Sequence, residues 1–319
     1  MTTLATDFDG VLRQKFLLGM TSKMGLGGAI ESAPPPYYML LTRTIDPGGI
    51  FRAEGHSGYG PYTEVVDEAG ELPEDSMAKW FPTELYPHEF GKKETVTLKA
   101  VEDARNNGWI TMVQDKAQAL GSKARDFLND AVVNFFAYAH LGHPANLGLI
   151  GGDGQSLISA SHQRSATDAT TWSNHLGAVT LNDINLEAAR VASGALTDPK
   201  NQRLGGGYNL LVVGRLLAKR AWELVYTDRE VSTANNKLNW FGPIGPMGYR
   251  VVILDELGGY NWFLCNPELM ARSLITKFER QISFEIFRKS PRVFELSCHF
   301  RVSTGYTCPH WALGSSAAS

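Results

Sequence analysis

Asp153-Gly154-Gln155-Ser156-Leu157-Ile158-Ser159-Ala160-Ser161-His162 is followed by Thr171-Trp172-Ser173-Asn174 and then by Leu181-Asn182-Asp183-Ile184-Asn185-Leu186-Glu187-Ala188-Ala189. Gly151-Gly152-Asp153-Gly154 is turn chemistry, because glycine reaches positive φ without a Cβ clash and aspartate closes turns on its own backbone. The turn separates a short apolar run that begins at Leu147 from a second strand-like piece ending at His162. Thr180 or Asn182 caps a helix running to about Leu196, since either side chain accepts from a backbone N–H of the first turn. This order gives the middle of the chain an α+β or α/β character.

Outward toward the C-terminus, Tyr208–Val213 and Tyr249–Leu254 read as buried strands, with a helix over Arg215–Val225 between them and a further strand at Asn261–Cys265. Arg280, Ile282, Phe284 and Ile286 then alternate with polar residues. After Lys289-Ser290-Pro291-Arg292, so do Phe294, Leu296, Cys298, Phe300 and Val302. Period-two alternation over two adjacent runs predicts a long, half-buried hairpin. Outward toward the N-terminus, Val113, Ala117, Leu120, Ala124, Phe127, Leu128, Ala131, Phe135 and Ala139 recur along one helical face. They predict a helix over 112–139, about 40 Å long. Gly121 is its weak point, and Gly142, His143 and Pro144 end it. A short helix precedes it and breaks at Asn106-Asn107-Gly108.

Residues 46–99 behave differently. Prolines stand at 47, 61, 73, 82 and 87, helical periodicity is absent, and only short strands fit, such as Tyr62–Val66 and Thr95–Leu98. Acids cluster from Glu64 to Asp75, yet Phe51, Tyr59, Tyr62, Trp80, Phe81, Tyr86 and Phe90 lie in the same stretch. Rings on this scale require burial. Two solutions fit: burial against another subunit, or a hairpin packed on its own domain. Residues 1–45, with Pro34-Pro35-Pro36 enforcing an extended backbone, read as an arm.

The chain has 319 residues, 43% apolar and 20% charged, which suggests about two domains or one with large excursions. Thirty Lys plus Arg against thirty-three Asp plus Glu leave a net charge of -3, with no basic excess for reading nucleic acid by sequence. Three cysteines suit a reducing compartment better than a disulfide framework. No run approaches 18 apolar residues, so no membrane span is expected, nor is a secretory leader.

Chemistry-bearing residues are sparse. Leu4-Ala5-Thr6-Asp7-Phe8-Asp9-Gly10 resembles the first motif of haloacid-dehalogenase-type phosphatases, which implies Asp7 as nucleophile, Asp9 as general acid and a magnesium ion. Gly152-Asp153-Gly154 resembles that family's metal-binding motif, but Leu157 stands where a second carboxylate is wanted. His140 and His143 lack a completing ligand set, and Cys298 and His299 are strand neighbours pointing to opposite faces, which disfavours zinc shared with Cys308 and His310. Ser161-His162 has no nucleophile elbow around it, and Gly205-Gly206-Gly207 precedes a strand instead of a helix. No catalytic residue, cofactor or metal is expected.

The ordered series resembles the major capsid proteins of tailed bacteriophages, the Hong Kong 97-like fold, most nearly the Mu-like head-subunit group. The family's "DG..LFS..H" strand pair, Ser-Asn, and "L....LEAA" helix correspond to the three stretches quoted first. Its "WYL.ADP" pattern corresponds to Asn261–Pro267, with Cys265-Asn266 in place of Ala-Asp. The resemblance runs from about residue 50 to 312. It implies an α+β chain with an N-terminal arm at 1–45, an extended loop at 46–99, a peripheral domain at 100–178 and 262–319, and an axial domain at 179–261. It also implies self-assembly as hexamers and pentamers into an icosahedral shell around double-stranded DNA, touched non-specifically, in a virion assembled in the host cytoplasm. A separate scaffolding protein and a portal are expected partners, and a decoration protein is a further candidate. The extended loop would lie on a neighbour through Phe51, Tyr59, Tyr62, Lys79, Trp80, Phe81, Tyr86 and Phe90. Some relatives join a loop lysine to a neighbour's asparagine; Lys79, Lys92 and Lys93 are the loop candidates. The phosphatase is the alternative function, and an adhesive or tail-tube protein is a third reading.

Overall fold

The computed structural model describes residues 13–14, 16–17, 20, 22–24, 30–32, 37–45, 50–55, 57–62, 74–106, 110–141, 149–229, 238–242, 245 and 248–316. In chain order these form β1 (Ser22–Met24), β2 (Ile30–Ser32), α1 (Tyr37–Leu41), β3 (Arg43–Ile45), β4 (Phe51–Glu54), β5 (Ser57–Gly58), β6 (Ala78–Lys79), β7 (Pro82–Leu85) and β8 (His88–Thr97). Then come α2 (Leu98–Asn106), α3 (Ile110–Ala137), β9 (His162–Gln163), β10 (Thr171–Trp172), α4 (Asp183–Ser193), β11 (Leu210–Gly214), α5 (Ala218–Tyr226) and β12 (Arg250–Leu254). The last are β13 (Trp262–Cys265), α6 (Pro267–Ser273), β14 (Leu274–Ser290), β15 (Val293–Tyr306) and β16 (Ala312–Ser315). The chain is α+β, as the sequence predicts. It divides into two compact units, one of 1–50, 86–132 and 276–303, the other of 51–85, 133–275 and 304–319.

The first unit holds a four-stranded sheet in the order β3-β14-β15-β8. β15 runs antiparallel to β8 from Val293↔Thr97 to Val302↔His88. Alternation sorts its residues: Leu296, Cys298, Phe300 and Val302 are all buried. Ala117, Leu120, Ala124 and Leu128 of α3, from the stripe that the sequence periodicity marked, are buried as well, and so is Val132 beside it. Phe127 of α3 meets Phe90 at 4.4 Å and Phe300 at 5.7 Å. Phe16 stacks on Phe284 at 4.6 Å. Gly121 permits close approach here, since a Cβ on it would collide with the Phe16 carbonyl.

The second unit is built on the sheet β12-β11-β13-β16. β11 is parallel to β12 and antiparallel to β13, and all five β11 residues are buried. Such two-sided burial explains its unbroken apolar sequence. Leu186 and Ala189 of α4 and Ala221, Leu224 and Val225 of α5 share one core with Leu211, Val213, Trp262, Leu264 and Leu313. Across the sheet, Phe136 packs on Phe263 at 5.2 Å and Trp311 at 6.0 Å. Asn182 caps α4, its Oδ1 accepting from Asn185 N at 2.7 Å. Asn266 caps α6, accepting from Glu268 N and Leu269 N at 3.0 and 3.2 Å.

Candidate intersubunit contact sites

Residues 51–85 form a ribbon in the second unit. β4 pairs with β7 from Phe51↔Leu85 to Glu54↔Pro82, and β5 pairs with β6 through Ser57↔Lys79. Period-two burial follows, with Thr83 and Leu85 inside and Pro82 and Glu84 outside. β8, the next strand, belongs to the first unit's sheet. Most of the predicted strand Tyr62–Val66, from residue 63 onward, lies outside the described residues.

The rings of the ribbon do not share one environment. Trp80 is 1% exposed. It stands edge-on to His310 at 4.9 Å, to Trp172 at 6.1 Å and to His162 at 6.4 Å. Those three rings form their own stack, with His162 on Trp172 at 4.9 Å and Trp172 on His310 at 4.3 Å. A Cβ at Gly55 would overlap the Trp80 ring, so glycine is required there for the facing strand to close over it. Phe81 meets Trp80 at 5.3 Å and is half-buried. Phe90 packs inside the first unit on Phe127 and Phe300. Trp80 and Phe90 thus find ring partners within the chain. Phe51 is half-buried and Lys79 exposed, while Tyr59, Tyr62 and Tyr86 are 60%, 107% and 53% exposed.

Polar contacts pin the ribbon farther out. Lys200 Nζ donates to Asp75 Oδ1 at 2.7 Å, and Gly60 N donates to Asp75 Oδ2 at 2.5 Å. The Lys200 ammonium holds the Asp75 carboxyl below its ordinary range. Gly58 abuts the Asp198 carboxylate, which itself caps a tight loop by accepting from Lys200 N at 2.9 Å and Gln202 N at 2.7 Å.

Beneath Trp80, the segment quoted at the outset is a stapled scaffold. Gly154 adopts φ 74° and closes the turn, with Gly151 N donating to Gln155 O at 2.8 Å. Asp153 Oδ2 lies 2.7 Å from His162 Nδ1, both side chains fully buried, and Asp153 Oδ1 accepts from Gln155 N at 3.2 Å. His162 Nε2 faces the Leu157 carbonyl at 3.3 Å. Asn174 accepts from Ser159 N at 2.9 Å and donates to the carbonyls of Leu157 and Ala312 at 2.8 and 3.0 Å. The sequence flagged the Ser-Asn pair by position, but its role becomes visible only once residues 157, 159 and 312 converge.

This arrangement uses up its polar groups internally. Both Asp153 oxygens and both His162 nitrogens face neighbours, and the Ser161 hydroxyl faces Ser159 at 3.5 Å. Asp7, Asp9 and His143 lie outside the described residues. Among the described residues no group of three His, Cys, Asp or Glu is placed to hold a metal, and no helix is long and apolar enough to cross a membrane.

No family model matches the sequence, and no curated protein matches it. Solved structures do. The capsid of Ralstonia phage GP4 is similar with a TM-score of 0.54 at 11% identity, over 93% of this chain and 94% of that one. The capsid of the native GTA particle gives 0.51 at 11%, over 93% and 95%. The capsid of cyanophage P-SCSP1u gives 0.51 at 10%, over 92% of each chain. At these identities the likeness is one of fold: the chain has the fold of tailed-phage capsid proteins, the Hong Kong 97-like fold.

Proposed function

We propose that this chain, folded as tailed-phage capsid proteins are, is a major capsid protein that assembles as hexamers and pentamers into an icosahedral shell around double-stranded DNA. The observation that carries the reading is coverage: the whole described architecture, and not one domain of it, matches capsid subunits over more than nine-tenths of both chains. The order of motifs along the sequence supports it independently. So does the absorption of Asp153, His162 and Asn174 into structural hydrogen bonds. A net charge of -3 suits a wall that contains DNA without adhering to it.

In this reading, identical subunits repeat modest contacts around closed symmetry axes, and the contacts gain strength by multivalency. The exposed rings Tyr59, Tyr62 and Tyr86 carry the strap contact with a neighbour. Trp80 is their internal anchor instead of a contact itself. A separate scaffolding protein and a portal complete assembly, a decoration protein is a candidate addition, and the product is a virion shell. Purified protein, screened over salt and concentration and viewed by negative-stain electron microscopy, is expected to give rings or closed shells. Monomers alone under every condition overturn the proposal.

A further inference from the structure

In the second unit, α5 turns Ala221, Leu224 and Val225 into the core. The opposite side of such a helix ordinarily carries charge. Here it carries Trp222, 57% exposed, and Tyr226, 37% exposed, with their rings 4.3 Å apart. Asn239 is buried, and its Nδ2 donates to the carbonyls of Leu224 at 2.7 Å and Thr227 at 2.9 Å. Its neighbours Leu238 and Trp240, 62% and 49% exposed, are thereby held at the C-terminal end of α5. Two tryptophans, a tyrosine and a leucine are therefore exposed along α5 and on the segment that Asn239 ties to its end. Rings presented in this way lose little freedom on docking, and Trp and Tyr are the side chains that dominate contact energies.

Charge indicates the occupant. Lys219 stands one turn before Trp222 with its side chain 90% exposed and 3.7 Å from Glu223 of the same helix, and the exposed Arg215 and Arg250 leave this surface a basic excess over that one acid. A surface of opposite character lies on α4 of the same chain. There Ile184 and Val191 are 73% and 61% exposed. Asp183 and Glu187 stand beside them, and Arg190 holds the Glu187 carboxyl below its ordinary range. Ile184, Glu187 and Val191 share one face at spacings of three and four residues, as do Lys219, Trp222 and Tyr226. A head-to-tail ring of identical copies requires two different faces that complement each other.

We propose that Trp222, Tyr226, Leu238 and Trp240 together make the apolar centre of a contact with a second copy of this chain, seated on that copy's α4 face with Lys219 toward its acids. The proposal rests on the shell reading and specifies where its subunits meet. The three natural cysteines are buried, so engineered ones can be addressed selectively. Val191→Cys and Lys219→Cys variants, purified separately, are mixed under assembly conditions and treated with a short bismaleimide. A covalent heterodimer in the mixture, absent from either variant alone, is the expected result. Shells that form without any heterodimer overturn the contact and leave the shell reading standing. A heterodimer without shells of the wild-type chain supports the contact and counts against the shell. A Trp222→Glu, Trp240→Glu double variant is expected to keep its circular dichroism and thermal midpoint while its assembled fraction by sedimentation falls at least tenfold. Normal assembly of that variant, as expected if a different protein covers these side chains, overturns the proposal.

Discussion

Asn174 shows most clearly how one side chain organises this chain. It is 1% exposed, and its amide joins three separate backbone segments. Asn174→Ala takes partners from the Ala312 carbonyl and the Ser159 N–H and leaves the Leu157 carbonyl to His162 alone, and each unsatisfied group costs about 1–3 kcal/mol. A loss of about 3–5 kcal/mol is expected in denaturant unfolding, and a loss under 1 kcal/mol would contradict the assignment. Trp80→Ala separates two accounts of the ribbon. If the ring is anchored internally, removing it costs about 3–5 kcal/mol in the isolated subunit; if it served only a neighbour, the isolated subunit's thermal midpoint would not move. His140 gives a pH signature. Its Nε2 donates to the Ser315 carbonyl at 3.1 Å, and burial, helped by His175, lowers its pKa to about 4. The unfolded chain therefore binds a proton near pH 6.5 that the folded chain refuses until about pH 4. This contribution is fully present above pH 6.5 and is lost as pH falls toward 4. It amounts to about 1–2 kcal/mol after solvent screening. The difference in unfolding midpoint between pH 7 and pH 4.5 should shrink in His140→Gln, and an unchanged difference would remove the argument.

At the scale of elements, the strongest local signals were readable in advance. The stripe from Ala117 to Phe135 placed a helix at 112–139, and it runs Ile110–Ala137. Alternation placed the long hairpin, which extends farther at both ends, to Leu274 and Tyr306, because Leu274–Phe278 is buried throughout and its adjacent Thr276 and Lys277 break the alternation. Helix α6 and strand β16 were not read, since seven and four residues are too few for periodicity to speak. The departure Cys265-Asn266 proves conservative in effect, because an asparagine oxygen caps a helix as an aspartate does. Gly121 is where local and tertiary preferences oppose each other. Helix propensity alone says Gly121→Ala stabilises by about 1 kcal/mol. A Cβ there meets the Phe16 carbonyl, and overpacking costs about 1–3 kcal/mol, so packing wins and the thermal midpoint should fall. A rise would show that Phe16 gives way freely.

For the whole molecule, the fold was legible because the order of its elements survives where identity has fallen to 11%. The contact surfaces were less so. An aromatic in a polar ribbon looks stranded in one dimension, and only the fold reveals that Trp80 lies under His310 while Tyr62 stands in solvent. Trp222 and Trp240 were not singled out in the sequence, yet they are 57% and 49% exposed. Their signal was available: Trp222 and Tyr226 fall on the side of α5 opposite Ala221 and Val225. The central claim is that this chain is a shell subunit, and an electron cryomicroscopy reconstruction of the purified, assembled protein tests it most directly. The account predicts five- and six-membered rings in a closed shell, each subunit carrying the two sheets described above. A monodisperse monomer, or a tube built by helical stacking, would contradict it.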